Sequence, residues 1–297
     1  MNAADERTYR ELRPLLFSIA YRMLGSAAEA EDVVQEAFLR FRGASDEEDV
    51  RAPKAYLTTV ATRLSIDRLR SARVRREHYV GTWLPEPIVL DEDLEALTEG
   101  DAAETADSLS LAFLVLLERL TPLERAVFLL RNVFDHSYRE IAEIVGKRED
   151  NVRQIAARAR RHVDARRPRF EASQEERELL AERFFAAASA EDADALVEIL
   201  APDVAFYGDG GGNVRGAIPH PVFGRDRVTR LLLGFARSLD DLGLSMRFAR
   251  VNGQPGAVFF RPDGSPFSVI ALDVTGGAVS AIRSIVNPEK LRHVKAA

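Results

Sequence analysis

The stretch that decides the fold of this chain is SYREIAEIVGKREDNVRQIAARARR, residues 137–161. Apolar residues recur at helical spacing on both sides of Gly146, a position suited to a tight turn with a positive φ. The pattern predicts a helix-turn-helix with one buried face. The opposite face carries polar residues at steps of three and four, namely Lys147, Asn151, Gln154, Arg158 and Arg161. Amides can read base edges and guanidinium groups can hold phosphates, so this face predicts contact with duplex DNA.

The overall composition is that of a globular protein of two or three domains, with 297 residues, 46% of them hydrophobic and 30% charged. The sequence has no apolar run long enough to cross a membrane and no secretory pattern at its start, so a cytoplasmic location is expected. The lack of cysteine excludes disulfides and thiolate chemistry, and the five histidines show no metal-binding spacing. We therefore expect neither a metal nor a cofactor.

The net charge of −6 hides a strong segregation of charge. Residues 51–76 hold eight Lys or Arg against one acid, and residues 137–170 hold ten against five. Between these segments, residues 77–110 hold ten acids and neither Lys nor Arg. Because local charge decides where a polyanion binds, the two basic segments predict two nucleic-acid contacts. Solvated helix faces joined by a solubilising linker are the alternative.

Residues 7–75 are predicted to be helical, with a first helix that ends near Gly25. The polar stretch Gly43–Asp49 is predicted to be a loop, and Pro53 suits the first turn of a third helix. Residues 77–107, with two prolines in WLPEP (83–87) and the acidic run, are typical of an extended linker.

Helix is predicted again for Leu109–Leu120, and Thr121-Pro122 then supplies a cap and a first-turn proline for the next helix. Beyond residue 171 the pattern is α+β. A helix is predicted at Glu175–Ala190 and another after Gly224. Four strand-like runs follow, LSMRFARV, GAVFFRP, FSVIALDV and AVSAIRSIV, with turns at Asn252-Gly253 and Asp263-Gly264.

These segments, in this order, resemble the extracytoplasmic-function (ECF) sigma factors of bacterial RNA polymerase. AEDVVQEAFLRF (30–41) is similar to the polymerase-clamp helix, APKAYLTTVATRLSIDRLR (52–70) to the promoter-melting segment, and residues 120–161 to the upstream-element reader. The C-terminal part is similar to a SnoaL-like domain of the nuclear-transport-factor-like fold. WLPEP, YGDGGGNVRG (207–216) and NPEKL (287–291) resemble the SigJ-like group with such a fused extension.

The resemblance implies a multidomain fold of two all-α sigma domains and an α+β SnoaL-like cone. It implies sigma domain 2 at residues 7–76, an acidic linker at 77–107, sigma domain 4 at 108–168 and a SnoaL-like regulatory domain at 172–291. The implied function is a sigma factor, not an enzyme, that directs core polymerase to promoters through the beta-prime clamp and the beta flap. The C-terminal domain would regulate it in cis, in place of a separate anti-sigma factor. The acidic linker would occupy a basic channel of polymerase, or would be a solvated tether.

The resemblance and the chemistry together name three sets of candidate binding residues. Polymerase binding is expected of Glu31, Asp32, Gln35 and Glu36, for which a solvated helix face is the alternative. Binding of the downstream promoter element is expected of Lys54, Tyr56, Arg63, Arg68 and Arg70. Binding of the upstream element is expected of Lys147, Arg148, Asn151, Arg153, Gln154, Arg158, Arg160 and Arg161.

Two of these positions raise specific questions. The Tyr56 ring offers a surface for an unstacked base, although a half-buried core aromatic is the alternative. The family also implies capture of a base by the loop before the third helix, here Arg42–Lys54. Arg148 stands where many members have Ser or Thr, and it cannot cap the helix as a hydroxyl does. Asp150 near the helix N-terminus would compensate in part.

The C-terminal motifs are expected to make the regulatory contacts. The residues concerned are Trp83, Leu84, Pro85, Asp209, Gly210, Gly211, Gly212, Asn287, Pro288, Glu289, Lys290 and Leu291. Asn213 replaces the lysine usual in the DGGG-Lys motif, which removes any ion pair expected from that lysine. The rival interpretation is a small-molecule-binding or isomerase/cyclase-type domain fused to a DNA-binding module, with Asp209, Tyr207 or His220 as the acid or base.

Overall fold

The computed structural model describes residues 3–47, 50–77, 79–90, 107–164, 173–212, 214 and 216–295. The chain divides into two compact units. The first comprises residues 1–77, 91–108 and 113–167, and the second comprises residues 78–90, 109–112 and 168–297. Within the described ranges, no helix has the length and apolarity needed to cross a membrane. Those same ranges contain no group of three or more His, Asp or Glu arranged to hold a metal ion.

Every described helix or strand of the first unit is a helix. Its helices are α1 (Ala3–Leu24), α2 (Ala27–Glu47), α3 (Pro53–Glu77), α4 (Leu111–Leu117), α5 (Pro122–Asn132), α6 (Tyr138–Val145) and α7 (Glu149–Asp164). The start of α3 at Pro53 confirms the predicted position of that proline. The prediction of a loop at Gly43–Asp49 is wrong, because α2 continues to Glu47. Gly43 is exposed, and a glycine at such a helical position costs only about 1 kcal/mol relative to alanine, which does not end the helix.

The helix-turn-helix is built by α6 and α7. Capping boxes at Thr121 and Ser137 begin α5 and α6, where each hydroxyl accepts a hydrogen bond from the backbone N–H three residues on. Helix α6 ends at Gly146, whose φ of 64° lies in the left-handed region as predicted. Val152 and Ile155 of α7 lie in one core cluster with Val127 of α5 and Ile141 of α6. The polar face of α7 is thereby turned outward.

Two buried arginines join region 2, formed by α1–α3, to region 4, formed by α4–α7. Arg22 of α1 donates a hydrogen bond to Ser108 Oγ at 3.0 Å and lies 5.7 Å from the ring centre of Phe134. Arg125 of α5 donates to the Arg22 carbonyl at 3.0 Å and pairs with Glu118. Both arginines are only 1% exposed. Regions 2 and 4 therefore share a buried polar junction within the first unit.

The second unit is α+β, as predicted. Its helices are α8 (Gln174–Ser189), α9 (Ala193–Ile199) and α10 (Arg225–Asp241), and a 3-10 turn lies at Pro288–Lys290. Its strands are β1 (Val89–Leu90), β2 (Leu200–Asp209), β3 (Val222–Phe223), β4 (Ser245–Val251), β5 (Gln254–Phe260), β6 (Pro266–Thr275) and β7 (Ala278–Ile285).

One sheet contains all seven of these strands, in the order β1-β4-β5-β6-β7-β2-β3. Only the β2–β7 pair among them is parallel. Phe184 and Leu196 from the helices pack with Phe206, Phe259 and Ile282 from the sheet in one apolar core. Strand β1 belongs to the connector, the segment of residues 79–90 that follows region 2, and pairs antiparallel with β4. The described part of the predicted linker is therefore extended and docked on the C-terminal unit.

Candidate functional site

The predicted DNA-reading face of α7 is exposed to solvent. All eight residues predicted to bind the upstream element are exposed, whereas Val152, Ile155 and Ala159 of the same helix are buried. Helix α7 has no side-chain cap from Arg148, whose carbonyl instead accepts from Asn151 N at 3.0 Å. Glu149 and Asp150 lie in its first turn, where acidic side chains favour the helix dipole.

Arg153 and Arg158 of this face have acidic partners. Arg153 pairs with Glu149 at 2.5 Å and lies 4.6 Å from the ring centre of Tyr138. Arg158 lies 4.0 Å from a Glu124 carboxylate oxygen. Exposed ion pairs of this kind contribute little stability, so both arginines can exchange these partners for phosphates.

Arg63, predicted to hold a promoter phosphate, also bridges regions 2 and 4. From α3 it donates to the carbonyls of Ile144 at 2.7 Å and Glu143 at 3.1 Å, at the C-terminal end of α6. A guanidinium group at a helix C-terminus satisfies free carbonyls and favours the helix dipole. This contact uses the Nε and Nη2 groups of Arg63, whose side chain is otherwise exposed.

The other candidate cations of α3 differ in their surroundings. Arg68 pairs with Asp32 at 3.3 Å and with Glu36 at 3.5 Å. A residue predicted to bind DNA is therefore paired with two residues predicted to bind polymerase. Arg70 pairs with Asp67 at 3.0 Å, and Lys54 is exposed.

Tyr56 lies at the edge of the region 2 core. It is half-buried, with its ring centre 6.1 Å from that of Phe41. This packing corresponds to the alternative of a half-buried core aromatic, although part of the ring still reaches solvent. The segment Arg42–Lys54 is not a loop throughout, because its first part belongs to α2.

The predicted polymerase-binding stripe of α2 also contains an apolar residue. Leu39 is 65% exposed and follows Gln35 by four positions, on the same side of the helix. Glu31 pairs with Arg13, and Glu36 with Arg40 at 2.5 Å. Leu39 was not predicted as a binding residue, since an apolar residue one position from buried Phe38 is easily counted with the core.

The C-terminal unit contains a buried polar cluster around Asp209, at the end of β2. The Asp209 side chain is fully buried and accepts hydrogen bonds from Leu84 N at 2.7 Å, from Gly211 N at 3.1 Å and from the Tyr79 hydroxyl. It also pairs with Lys290 Nζ at 2.7 Å. Burial, together with the hydrogen bond to the Asp209 carboxylate, raises the pKa of Tyr79 well above its usual range, so this hydroxyl remains a donor at neutral pH. One carboxylate thus holds two residues of the connector.

Lys290 completes the cluster from the NPEKL motif. Its ammonium group donates to the Leu84 carbonyl and lies 4.5 Å from the ring centre of Trp83 and 5.0 Å from that of Tyr79. Asn287 donates to the Tyr79 hydroxyl at 3.0 Å, and its own Oδ1 accepts from Glu289 N at 3.0 Å. The three motifs predicted to make regulatory contacts therefore meet, and we call this set the connector clamp (Tyr79, Trp83, Leu84, Asp209, Asn287 and Lys290). Asp209 takes its cation from Lys290, while Asn213 lies outside the described residues.

The glycines of the DGGG motif allow neighbouring segments of the chain to pack closely against both sides of the loop that contains them. A Cβ on Gly211 would lie 2.6 Å from Asn287 Nδ2, and one on Gly212 would lie 2.7 Å from Val80 Cβ. Gly210 faces the other way, since its Cβ would lie 2.3 Å from Ala217 Cβ. Only glycine fits at these contacts. Pro85, which follows Leu84, and Leu291, which follows Lys290, are both buried, whereas Glu289 is exposed.

A second contact holds the connector at Asn252, in the β4–β5 turn. Ile88 N donates to Asn252 Oδ1 at 2.8 Å, and Asn252 N donates to the Ile88 carbonyl at 2.8 Å. Asn252 Nδ2 donates to the Leu109 carbonyl at 2.9 Å. The sequence identified Asn252 only as a turn residue, because a turn motif does not reveal a distant partner.

The candidate acid–base residues are not brought together in a cavity. Asp209 is saturated by the clamp, His220 is exposed, and the Tyr207 ring packs against Arg283 at 5.3 Å. A cavity of about 260 Å³ does lie between β2, β6 and α10, and none of these three residues lines it. Their geometry offers no acid–base pair for an isomerase or cyclase.

Comparison with known proteins identifies three families along the chain. Residues 8–75 match the Sigma-70 region 2 family, residues 110–163 match Sigma-70 region 4, and residues 181–286 match the SnoaL-like domain family. The chain is 39% identical to the ECF RNA polymerase sigma factor SigJ of Mycobacterium tuberculosis over 293 residues, which is 95% of this chain and 91% of the relative. It is 32% identical to the probable ECF sigma factor SigI of the same organism, with 97% and 95% coverage. The crystal structure of M. tuberculosis SigJ superposes with a TM-score of 0.74 and 35% identity, over 95% of this chain and 96% of that one.

Proposed function

This chain belongs to the extracytoplasmic-function family of RNA polymerase sigma factors, and we propose that its SnoaL-like domain regulates it in cis by holding the connector. As a sigma factor it directs core RNA polymerase to specific promoters and initiates transcription. The observation that carries the regulatory proposal is the buried Asp209 carboxylate, which binds the connector at Tyr79 and Leu84.

Docking shortens the free tether between the two DNA-binding regions. Region 2 ends with α3 at Glu77, and the connector that follows is held at residues 79–90. Each extended residue spans at most about 3.5 Å, so the released segment can span up to about 40 Å in any direction. A promoter presents its two elements far apart, and a freely oriented tether lets regions 2 and 4 reach both.

The contacts inside the first unit oppose the same separation. Arg63 donates to the α6 carbonyls, and Arg22 and Arg125 bury their charges at the junction of the two regions. We infer that promoter binding replaces the carbonyl partners of Arg63 with DNA phosphate. The docked connector favours the closed arrangement, because a tethered contact acts at an effective concentration of about millimolar.

The individual contacts follow the chemistry of each face. Asn151 and Gln154 are proposed to read base edges of the upstream element, with the arginines of α7 on phosphates. The α2 stripe with Leu39 is proposed to bind the beta-prime clamp, because acidic groups around an apolar centre suit a basic groove. Region 4 is proposed to bind the beta flap.

Run-off transcription with purified core polymerase tests the regulatory proposal. A chain truncated after Val286 lacks Asn287 and Lys290, and we expect it to transcribe a cognate promoter more actively than the full chain. A chain truncated after Val294 retains the clamp and is the matched control. Equal transcription from all three chains, together with equal protection of Trp83 from proteolysis, would contradict the proposal.

A further inference from the structure

The β4–β5 turn contains the single Asn-Gly pair of the chain, Asn252-Gly253. Both residues have a positive φ, 54° and 74°, as the two central positions of a type I′ turn require. Asp-Gly and Gly-Gly also favour this turn, so the turn by itself does not require an asparagine. The asparagine is explained instead by the contacts of its side chain with Ile88 of the connector and with Leu109.

An asparagine followed by glycine is chemically labile, because glycine has no side chain to hinder attack by its own backbone nitrogen. In this reaction Gly253 N bonds to Asn252 Cγ, and the bond between Cγ and Nδ2 breaks. Nδ2 leaves as ammonia, with the proton that the Gly253 amide gives up. Water then opens the cyclic imide and leaves an aspartate or an isoaspartate. The reaction needs water as its co-reactant and no enzyme.

The docked connector opposes this reaction. Asn252 Oδ1 accepts from Ile88 N at 2.8 Å and Nδ2 donates to the Leu109 carbonyl at 2.9 Å, so both ends of the amide are fixed. Ring closure requires the side chain to rotate until Cγ meets Gly253 N, and that rotation breaks both bonds. Asn252 is also only 1% exposed, which keeps water away from the leaving nitrogen. Release of the connector removes the Ile88 contacts and exposes the amide.

We propose that Asn252 is a modification site whose deamidation is blocked while the connector is docked, and that deamidation makes release of the connector permanent. A carboxylate at this position has no donor for the Leu109 carbonyl and places a negative oxygen beside it. Loss of this buried bond, with an unpaired charge in its place, should shift docking toward release by about tenfold or more. The turn survives in the aspartate product, because Asp-Gly also favours it. The effect on transcription rests on the regulation proposed above.

Incubation of the full chain at mildly alkaline pH tests the protection, with deamidation of Asn252 followed by peptide mass and by isoaspartyl methylation. The free hexapeptide RVNGQP (250–255) gives the unprotected rate. Ile88→Pro removes the N–H that holds Asn252 Oδ1, whereas Ile88→Val keeps it and is the matched control. We expect slow deamidation in the wild type and in Ile88→Val, and about fivefold faster deamidation in Ile88→Pro, as loss of one hydrogen bond implies.

Lys290→Met is a second test of the protection, because it changes the clamp and leaves the turn and its neighbours intact. Deamidation should be faster than in the wild type, since modification follows the population of the released segment. Deamidation of the wild type at the rate of the peptide would overturn the protection. So would a wild-type rate in both Ile88→Pro and Lys290→Met.

Asn252→Asp tests the consequence, with limited proteolysis at Tyr79 and Trp83 as the measure of release. Cleavage should be about tenfold faster than in the wild type. Asn132→Asp makes the same change of charge at an exposed position of the first unit and should cleave at the wild-type rate. Unchanged cleavage in Asn252→Asp would overturn the switch. Failure of the proposed cis regulation is distinguishable, because it leaves these rates intact and appears as unaltered transcription by the chain truncated after Val286.

Discussion

Replacement of Lys290 by methionine should release the connector. Methionine nearly preserves the volume of the side chain and removes only its charge and donors. The lysine is 8% exposed and pairs with the fully buried Asp209, and removal of one partner of a buried pair costs about 3–5 kcal/mol. Asp209 keeps three other donors in Tyr79, Leu84 and Gly211, so the lower figure applies to the docked state. In the released state the exposed pair is worth at most about 1 kcal/mol.

The net effect on docking is therefore about 2 kcal/mol, or about thirtyfold in the docking equilibrium. Limited proteolysis at Tyr79 and Trp83 measures this directly, because cleavage follows the population of the released segment when docking is rapid. We expect cleavage about thirty times faster in Lys290→Met. Lys295→Met, which changes an exposed lysine near the same end, should cleave at the wild-type rate. An increase below about fivefold in Lys290→Met would refute the reasoning, since Lys290 would then contribute less than about 1 kcal/mol to docking.

Four further changes test the sigma regions. Arg63→Ala removes two charge-assisted bonds and should increase the distance between regions 2 and 4, measured by energy transfer between two cysteines introduced into this cysteine-free chain; an unaltered distance would contradict a bridging role. Arg158→Ala should weaken DNA binding on all sequences and lower the slope of log K against log salt by about 0.9, as one lost phosphate contact implies. Gln154→Ala should instead change the preferred promoter sequence at near-constant salt slope, and loss of affinity without a change in preference would assign it to the backbone. Gly146→Ala places a Cβ at a φ of 64° and should destabilise region 4 by about 1 kcal/mol, seen as a lower melting temperature.

Local patterns were sufficient to predict the helix-turn-helix. Apolar spacing, the turn glycine and the capping residue Thr121 all act within a few positions, and the structure has each of them as expected. The Ser137 cap is equally local, but it was not predicted. The wrong loop after Gly43 shows the limit of the same rules. A glycine on an exposed helix face costs about 1 kcal/mol, which a well-packed helix tolerates, and no proline follows until Pro53.

The partners of the buried charges could not be predicted from spacing. Arg63 meets α6 about eighty residues away, and Tyr79 meets Asp209 across 130 positions. Periodicity shows that a side chain faces inward or outward, and it carries no information about which distant group it meets. The resemblance grouped the three motifs of the clamp, but the role of Lys290 as the cation for Asp209 required the structure.

The two arginines buried where α1 meets α5 hold that junction closed, and they also determine what the opening proposed above would expose. An apolar junction of the same area would expose only hydrocarbon when it parted, and its separated faces would tend to associate with other proteins. Arg22 and Arg125 instead recover their full hydration when the regions separate, which offsets part of the lost contact energy. The separated regions would then expose guanidinium groups to solvent and not an apolar patch that binds other proteins. In the proposed mechanism, the groups that close the junction would thus also limit association of the opened regions with other proteins.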